Sequence, residues 1–429
     1  LFSGSENYAM YDFVVPDGWT DENVFAYSNR SGDERALVLF NNAYNTARGR
    51  VMMSTAINLG DADNKNLVRK SLTDALGLNC EHNCFYLFRD HRTHLEFIRH
   101  AESMAREGLE FELNAYQYYV MLDWREVHDT DGTWGRLAWL LEGRGVASIE
   151  EAYKEMKLEP LHDAFRKVMN ADVVGALARD EFEETEYKKL KKAYAEYLEA
   201  VASHTKLEFS ADRLFKGLRM ELDALHTIIA QIEKLEPSKQ ITDYLFSSVT
   251  GEAAVDAYFW RIPIALALSH QTTVARTAEA YTEAVATDVS EWLLTKVIKE
   301  AFWAMEEEQE FEAQMDTYLV EILAAFSGTL DFAPHSGGAL AFRRMFGNQT
   351  VQRYLMMNWH NGVVWFNKEQ AERLVYWLLF ESVVALLIEG RLTKAALDTR
   401  YKNAVAVLDA IEESEYQIDK WLELLKKEA

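Results

Sequence analysis

The segment Leu109–Val127, LEFELNAYQYYVMLDWREV, constrains the fold more than any other part of the chain. It is longer than one ordinary strand, which has about 3–10 residues, so we predict a break near Asn114–Ala115. Tyr, Phe and Val dominate the segment, as is typical of pleated and half-buried surfaces. We predict two strands, Leu109–Leu113 and Gln117–Leu122, which form the last hairpin of a β-domain. After this hairpin almost every pattern is helical.

Two earlier strands are predicted at Asn23–Tyr27 and Arg35–Phe40, on either side of the polar turn SNRSGDE. In the run ALVLF the side chains that would point to either face of the strand are all apolar. This predicts a strand that is covered on both faces. Thr93–Arg106 has apolar residues at helical spacing and is followed by Gly108. We therefore predict a helix in that segment.

Capping residues indicate where helices begin after the β-domain. Ser148 is followed three residues later by Glu151, which is the pattern of a capping box. Asn367 stands directly before the helix predicted at Lys368–Ile388 and is expected to cap it.

Heptad spacing is found in two neighbouring runs, Tyr187–Val201 and Leu218–Ile232, which Ser210 separates. This pattern predicts an antiparallel helical hairpin with a coiled-coil-like seam. The order of all these elements predicts an α+β fold that is mostly α. A small antiparallel β-sandwich occupies residues 23–130, and a large α-helical domain occupies residues 131–429.

The chain carries a net charge of −24. This charge argues against nucleic acid and anionic membrane surfaces as partners, because both attract clustered Lys and Arg. The longest uncharged run, Ile262–Ala275, is too short to cross a bilayer, and no signal peptide is visible. We expect a soluble protein, with the cytoplasm as the favoured compartment.

The two cysteines of the chain, Cys80 and Cys84, lie in the sequence CEHNC, which excludes a disulfide framework. They could pair with each other or bind a metal together with His82, and His91 and His94 are nearby. A structural zinc site is normally closed by four ligands, whereas this spacing supplies at most three. We expect two ordinary thiols, no metal and no other cofactor.

No Walker loop, GxGxxG, GxSxG or HExxH motif occurs at a plausible site. Glu221, Asp223 and His226 fall on one predicted helix and suggest a di-iron site. Such a site needs a second helix with a Glu-x-x-His motif, and the one literal match, Glu159–His162, contains Pro160. We therefore assign no metal ligands.

Asp123, Glu126 and Asp129 form a group of carboxylates beside Trp124 and His128. Paired carboxylates can support glycoside hydrolysis. In an acidic chain such neighbours also arise by chance, so we predict a solvated surface and assign no catalytic residue.

Tryptophans are the remaining candidates for a ligand site. Trp19, Trp124 and Trp365 lie in loops or at the ends of elements, where an exposed indole could stack on a sugar ring. We predict these three as carbohydrate-binding residues. Four others lie within apolar helical patterns and are predicted to be core residues: Trp260, Trp292, Trp303 and Trp377.

The segment Glu22–Asn42, ENVFAYSNRSGDERALVLFNN, resembles the point where a chain of glycoside hydrolase family 13, the α-amylase family, leaves its (β/α)8 barrel and enters domain C. A strand, a polar turn and a second strand ending in Asn are typical there. Glu112–Leu122 is similar to the closing hairpin of that domain. Gly143–Ala152 and Asn361–Trp377 resemble the helical extension of large bacterial members.

The resemblance implies that residues 1–22 are the tail of a missing N-terminal catalytic barrel. The chain would then be the non-catalytic C-terminal part of a retaining enzyme that acts on α-glucans. It would support the barrel and could bind glucan or mediate assembly. His128–Asp129 is the closest match to the histidine–aspartate step of the family but lacks the preceding Asn. No catalytic residue is therefore carried over, and the family pattern does not explain the large helical region.

The alternative hypothesis is an independent acidic helical scaffold that docks a protein partner. The two hypotheses differ in their expectation for residues 1–22. A barrel tail would be loosely held without its barrel, whereas a self-standing scaffold would tuck this segment into its own structure.

Overall fold

The computed structural model describes residues 7–58, 64–179, 182–246, 257–280, 287–305, 310–332 and 338–427. The chain forms two compact units, Leu1–Lys157 and Leu158–Ala429. Strands dominate the first, called the β-unit below, and helices dominate the second, called the helical unit. The fold is therefore α+β and mostly α.

The β-unit contains ten strands among its described residues: β1 (Ala9–Val14), β2 (Val24–Ser31), β3 (Glu34–Asn41), β4 (Ala47–Ser54), β5 (Ile57–Asn58), β6 (Leu67–Val68), β7 (Cys84–Asp90), β8 (Glu96–His100), β9 (Leu109–Leu113) and β10 (Tyr118–His128). Eight of these form one antiparallel sheet in the order β8-β7-β10-β3-β2-β1-β4-β9. The short helices α1 (Leu72–Leu76), α2 (Ala101–Glu107) and α3 (Thr133–Leu141) accompany it. The sheet curls around an inner core that includes Phe13, Leu37, Leu39 and Tyr86.

Strand β1 lies inside the sheet, between β2 and β4. Its register pairs Tyr11 with Ala26 of β2 and Phe13 with Val51 of β4, and both aromatic side chains are buried. Residues 9–14 belong to the segment that the sequence assigned to a barrel tail. Residues 9–14 are therefore an integral strand of the β-unit.

Strands β2 and β3 confirm the hairpin predicted around SNRSGDE, and they pair antiparallel as far as Ser31 and Glu34. Gly32 lies in the turn with a φ of 59°, a conformation that glycine adopts without a steric penalty. The prediction that the run ALVLF is covered on both faces is wrong. Leu37 and Leu39 are buried, whereas Val38 and Phe40 on the other face are only half-buried.

Strand β9 forms at the predicted place, whereas β10 continues past the predicted end at Leu122 to His128. The two strands are not a paired hairpin. β9 pairs with β4 at one edge of the sheet, and β10 pairs with β3 and β7 in its interior. The intervening turn is held by Asn41, whose side-chain amide donates to the carbonyl oxygens of Leu113 and Asn114. The curl of the sheet brings the rings of Phe111 and Tyr119 within 5.7 Å of each other without a ladder between the two strands.

The predicted helix at Thr93–Arg106 is wrong in its first half. Glu96–His100 is strand β8, which pairs with β7 from Phe85↔His100 to Arg89↔Glu96. Only Ala101–Glu107 is helical, and it ends at Gly108 as expected. Pairing with a neighbouring strand outweighs the helical spacing, because tertiary context routinely overrides local propensity.

Helix α4 (Ile149–Arg166) contains Pro160 and includes the boundary between the two units. The other described elements of the helical unit are α5 (Ala171–Ala178), α6 (Glu184–Thr205), α7 (Ala211–Glu233), α8 (Lys239–Phe246), α9 (Ala257–Ala280), α10 (Asp288–Glu291), α11 (Leu294–Met305), α12 (Glu310–Phe326), a 3₁₀ helix (Ser327–Phe332), α13 (Gly338–Phe346), α14 (Gln349–Tyr354), β11 (Asn358–His360), β12 (Val363–Trp365), α15 (Lys368–Ile388), α16 (Lys394–Glu413) and α17 (Ile418–Lys427).

Helices α6 and α7 form the predicted helical hairpin. The Ser210 hydroxyl accepts from the backbone N–H of Arg213 and caps α7. Most of the heptad positions are buried, including Tyr194, Leu218 and Leu222. The sequence also predicts a cap from Asp180 and Glu183, and Asp180 lies outside the described residues.

A buried ion network ties three helices of the helical unit together. Asp316 on α12 accepts two hydrogen bonds from Arg261 on α9, at 2.8 and 2.6 Å. Its other carboxylate oxygen accepts one from Arg373 on α15 at 2.6 Å. Arg261 and Asp316 are almost completely buried, so each charge depends on its partner for the solvation it has lost.

None of the helices that the structure describes combines the length and the apolar character needed to cross a membrane.

Both predicted helix caps form. The Ser148 hydroxyl accepts from the N–H of Glu151 at 3.2 Å, and the Asn367 side chain accepts from the N–H of Gln370 at 3.0 Å. We expect Ser148→Ala and Asn367→Ala each to lower the free energy of unfolding by about 1 kcal/mol in urea. Asn367→Ser is the control and should retain most of the stability, because serine also caps. An unchanged unfolding free energy in both alanine variants would contradict these helix starts.

Candidate functional site

The outer face of the sheet carries two rows of apolar side chains, which the strand register places side by side. The rows are Met10–Tyr27–Val38–Val120 and Phe25–Phe40–Tyr118. Tyr8 precedes β1, and its ring lies 5.8 Å from that of Tyr27. These eight residues are called the aromatic face below.

Much of the aromatic face is open to solvent. Tyr8, Met10, Phe25 and Tyr118 are exposed, and the other four residues are half-buried. The guanidinium of Arg92 lies 5.9 Å from the centre of the Tyr118 ring. Single exposed apolar residues are common, but a contiguous set across four neighbouring strands is typical of an interaction surface.

The three tryptophans predicted to bind carbohydrate differ in accessibility. Trp19 is 57% exposed, in the turn after β1, and Trp365 on β12 is 38% exposed. Trp124 is only 7% exposed. Its ring stacks on Phe88 at 4.3 Å, and its indole N–H donates to the carbonyl of Met121. Most of the Trp124 side chain is therefore packed, although it also lines a cleft beside Asp123, and its binding of carbohydrate stays a prediction.

The candidate carboxylates of β10 lie around a bulge between Leu122 and Arg125. Asp123 has a positive φ of 55° there. It lines a cleft of about 540 Å³ together with Glu96, Arg125 and Glu150. Glu96 accepts from Arg89 at 2.6 Å and from the N–H of Ile149 at 2.9 Å. Burial opposes the ionisation of Glu96, but these two hydrogen bonds and the charges of Arg125 and Arg89 together outweigh it and lower its pKa.

The geometry of Glu126 does not suit a general acid. The Tyr86 hydroxyl donates to its carboxylate at 2.5 Å, and this bond holds the pKa of Glu126 below its ordinary value. A glycosidase acid needs a raised pKa. Asp129 instead accepts from the backbone N–H groups of Gly132 and Gly135 and supports the start of α3. The prediction that these carboxylates form a solvated surface thus misses the hydrogen bonds that Glu126 and Asp129 make within the structure.

The other sequence candidates for metal binding do not converge. Glu221 bonds to His270 and Gln271. Asp223 is paired with Arg219, and His226 contacts the carbonyl of Leu177. The literal Glu-x-x-His match does not join these candidates either, because His162 is buried and its ring contacts the carbonyl of Trp292.

The CEHNC segment divides between two clusters of potential ligands in the described residues. One contains Cys84, Glu126 and His128, and the other contains His82, His100 and Glu102. Both cysteines are free thiols. Burial and the neighbouring Glu126 raise the pKa of Cys84 to about 12, so its thiol is protonated in the absence of a metal ion.

Two exposed tryptophans were not singled out from the sequence. Trp139 on α3 is 77% exposed. It lies midway between the buried Leu137 and Leu141, and this i+2 position places it on the opposite side of the helix. Trp359 on β11 is also exposed. Trp260, Trp292 and Trp377 are core residues as predicted, whereas Trp303 is exposed, contrary to the prediction.

Comparisons with known proteins add no relative: no protein-family model, no curated protein sequence and no solved structure matches the chain.

The contrast between Trp124 and Trp19 gives a direct test of the site geometry. We expect Trp124→Ala to lower the free energy of unfolding by about 3–5 kcal/mol, because it removes a packed aromatic side chain. Trp19→Ala is the control and should change it by no more than about 0.5 kcal/mol. Urea unfolding followed by circular dichroism measures both values. Equal effects of the two substitutions would contradict the buried position of Trp124.

Proposed function

We propose that the chain is a non-catalytic C-terminal part of an α-amylase-type glycoside hydrolase that acts on α-glucans. In this proposal the β-unit supports the catalytic barrel, and the chain contributes glucan contacts or assembly contacts. The observation that carries the proposal is the aromatic face. It supplements the resemblance of Glu22–Asn42 and Glu112–Leu122 to the domain that follows the barrel in this family.

The aromatic face suits a large, preformed protein surface as its occupant. Its residues belong to four adjacent strands, so their positions are fixed by the ladder and little conformational entropy is lost on docking. Tyr and Phe supply broad contact area and are typical of the central residues of interfaces. A neighbouring domain of the same polypeptide would also face no translational cost of association, because it is covalently linked.

Glucan binding is the second part of the proposal. Trp19 and Trp365 keep an accessible indole face, and sugar rings stack on such faces. The catalytic role stays outside the chain in this proposal, because Glu126 has a lowered pKa and Glu96 is held by Arg89. We place the protein in the cytoplasm, where two free thiols without a disulfide framework are ordinary.

The alternative, an acidic helical scaffold that docks a protein partner, is favoured by one observation. Strand β1 is paired on both sides, and Tyr11 and Phe13 are buried, as expected for a segment that belongs to a self-standing structure. The two functions make different demands on the residues encoded upstream of Leu1. The amylase proposal needs a barrel there, and the scaffold does not.

The docking role is tested by reading the sequence encoded upstream of Leu1 and expressing that part as a separate chain. We expect it to bind the 429-residue chain. The double variant Phe25→Ser/Tyr118→Ser should weaken binding at least about tenfold, since central aromatic residues dominate interfaces. Trp303→Ser, an exposed aromatic residue of the helical unit, is the matched control and should bind like the parent. The absence of an upstream barrel, or equal binding by all variants, would support the scaffold instead.

The glucan role is tested with the chain alone. We expect no release of reducing sugar from starch or maltodextrin, because no pair of carboxyls with glycosidase geometry is assigned here. Titration with maltoheptaose should change tryptophan fluorescence, and Trp19→Ala together with Trp365→Ala should abolish the change. Turnover that disappears in Asp123→Asn or Glu126→Gln would contradict the non-catalytic proposal. A fluorescence change that survives both tryptophan substitutions would contradict the assigned glucan contacts.

A further inference from the structure

Three elements of the β-unit bring His82, His100 and Glu102 together. His82 lies in the loop before β7, His100 ends β8, and Glu102 is in the first turn of α2. One ligand atom from each side chain lies within 4.8 Å of the others. His82 Nδ1 is 2.8 Å from Glu102 Oε2, and His100 Nε2 is 2.6 Å from the carbonyl oxygen of His82.

We propose that His82, His100 and Glu102 form a binding site for a divalent transition-metal ion of the zinc class. Two imidazoles and one carboxylate are a donor set that zinc accepts, with the remaining position left to water or another ligand. The carbonyl oxygen of His82 lies beside the same atoms as a further donor. This inference concerns the β-unit alone and is independent of the proposed function.

His100 is oriented in advance for such a role. Its Nδ1 lies 3.2 Å from the Ser103 hydroxyl, and the Phe85 ring packs at 4.8 Å from its own ring. These contacts fix the ring and leave Nε2 directed towards His82. Metal-bound histidines almost always have their second nitrogen held by a hydrogen bond of this kind.

The contact distances also suit an ion after a small adjustment. Zinc–ligand bonds are about 2.0–2.2 Å, so ligand atoms around a tetrahedral ion lie roughly 3.4 Å apart. His82 and Glu102 must separate by about half an ångström, and an ion would replace the hydrogen bond between them. An ion on His100 Nε2 would likewise replace its contact with the carbonyl oxygen of His82. The His82 side chain is 92% exposed, so this movement meets little packing resistance.

The proposed site opens on a cleft. His82 and His100 line a cleft of about 550 Å³ together with Phe85, Asp129 and Trp139. A bound ion would therefore be reached from this cleft, and its open position would accept water or a small ligand there. The exposed Trp139 ring provides an apolar wall for such a ligand.

The neighbouring cluster of Cys84, Glu126 and His128 is less suitable, although its atoms are also close together. Cys84 is completely buried. Glu126 already accepts from the Tyr86 hydroxyl and from the Asn79 amide. An ion there would have to displace these bonds and reach a buried thiol, so this cluster serves as the internal control.

The test uses the full 429-residue chain after treatment with a chelator, titrated with zinc chloride in a calorimeter. We expect one equivalent to bind. Glu102→Gln and His100→Ala should each weaken the affinity at least about tenfold. Cobalt chloride, as a second probe, should give the visible absorption of a tetrahedral ion, and Glu102→Gln should remove it.

His128→Ala and Cys80→Ser are the matched controls and should bind zinc like the parent. Glu102 is exposed, so Glu102→Gln keeps the test valid if His100→Ala does not fold. The proposal is overturned if the parent binds no zinc or if all variants bind it equally. It is also overturned if His128→Ala or Cys80→Ser removes the ion, because a residue outside the proposed site would then be a ligand.

Discussion

The curl of the sheet makes its two faces unequal, and the β-unit depends on this inequality. The concave side is filled by Tyr11, Phe13, Leu37 and Leu39. In a sandwich, two stacked sheets would enclose such a core, whereas here the strands of one curled sheet contribute to it. On the convex side, strands β1, β2, β3 and β10 carry the apolar residues of the aromatic face. Natural sheets that face water on one side usually alternate apolar and polar residues. Val38 and its neighbours depart from that alternation, so this part of the sheet exposes apolar side chains on its outer surface.

The helical unit differs from the β-unit because its core contains buried charged side chains. Asp316 lies between Arg261 and Arg373, and loss of Asp316 would remove the carboxylate that both guanidinium groups share, at a cost of about 3–5 kcal/mol. A second polar contact joins Glu221 on α7 to His270 on α9. Such bonds are directional, whereas aliphatic packing tolerates sliding. The network therefore fixes the relative placement of α9, α12 and α15 more than it adds stability.

Local signals were read correctly from the sequence, and long-range pairings were not. The caps at Ser148 and Asn367 depend on contacts within three residues, so they were predictable. Part of Thr93–Arg106 is a strand because it pairs with β7. β9 and β10 are separated because each pairs with strands that are far away in the chain. The burial of the Trp124 ring beside a bulge has no signal in the local sequence. The sequence pattern groups His82 with Cys80 and Cys84, whereas its neighbours His100 and Glu102 come from two later elements.

The position of β10 has a consequence for how the protein is made. β10 is the last strand of the sheet to be synthesised, yet it lies between β3 and β7. Until His128 has left the ribosome, β3 and β7 each have an open edge with unpaired N–H and carbonyl groups. Open edges are the usual starting points of misassembly between nascent chains. The β-unit is therefore most vulnerable to aggregation during translation of residues 41–128, and chaperone binding in that interval would protect it.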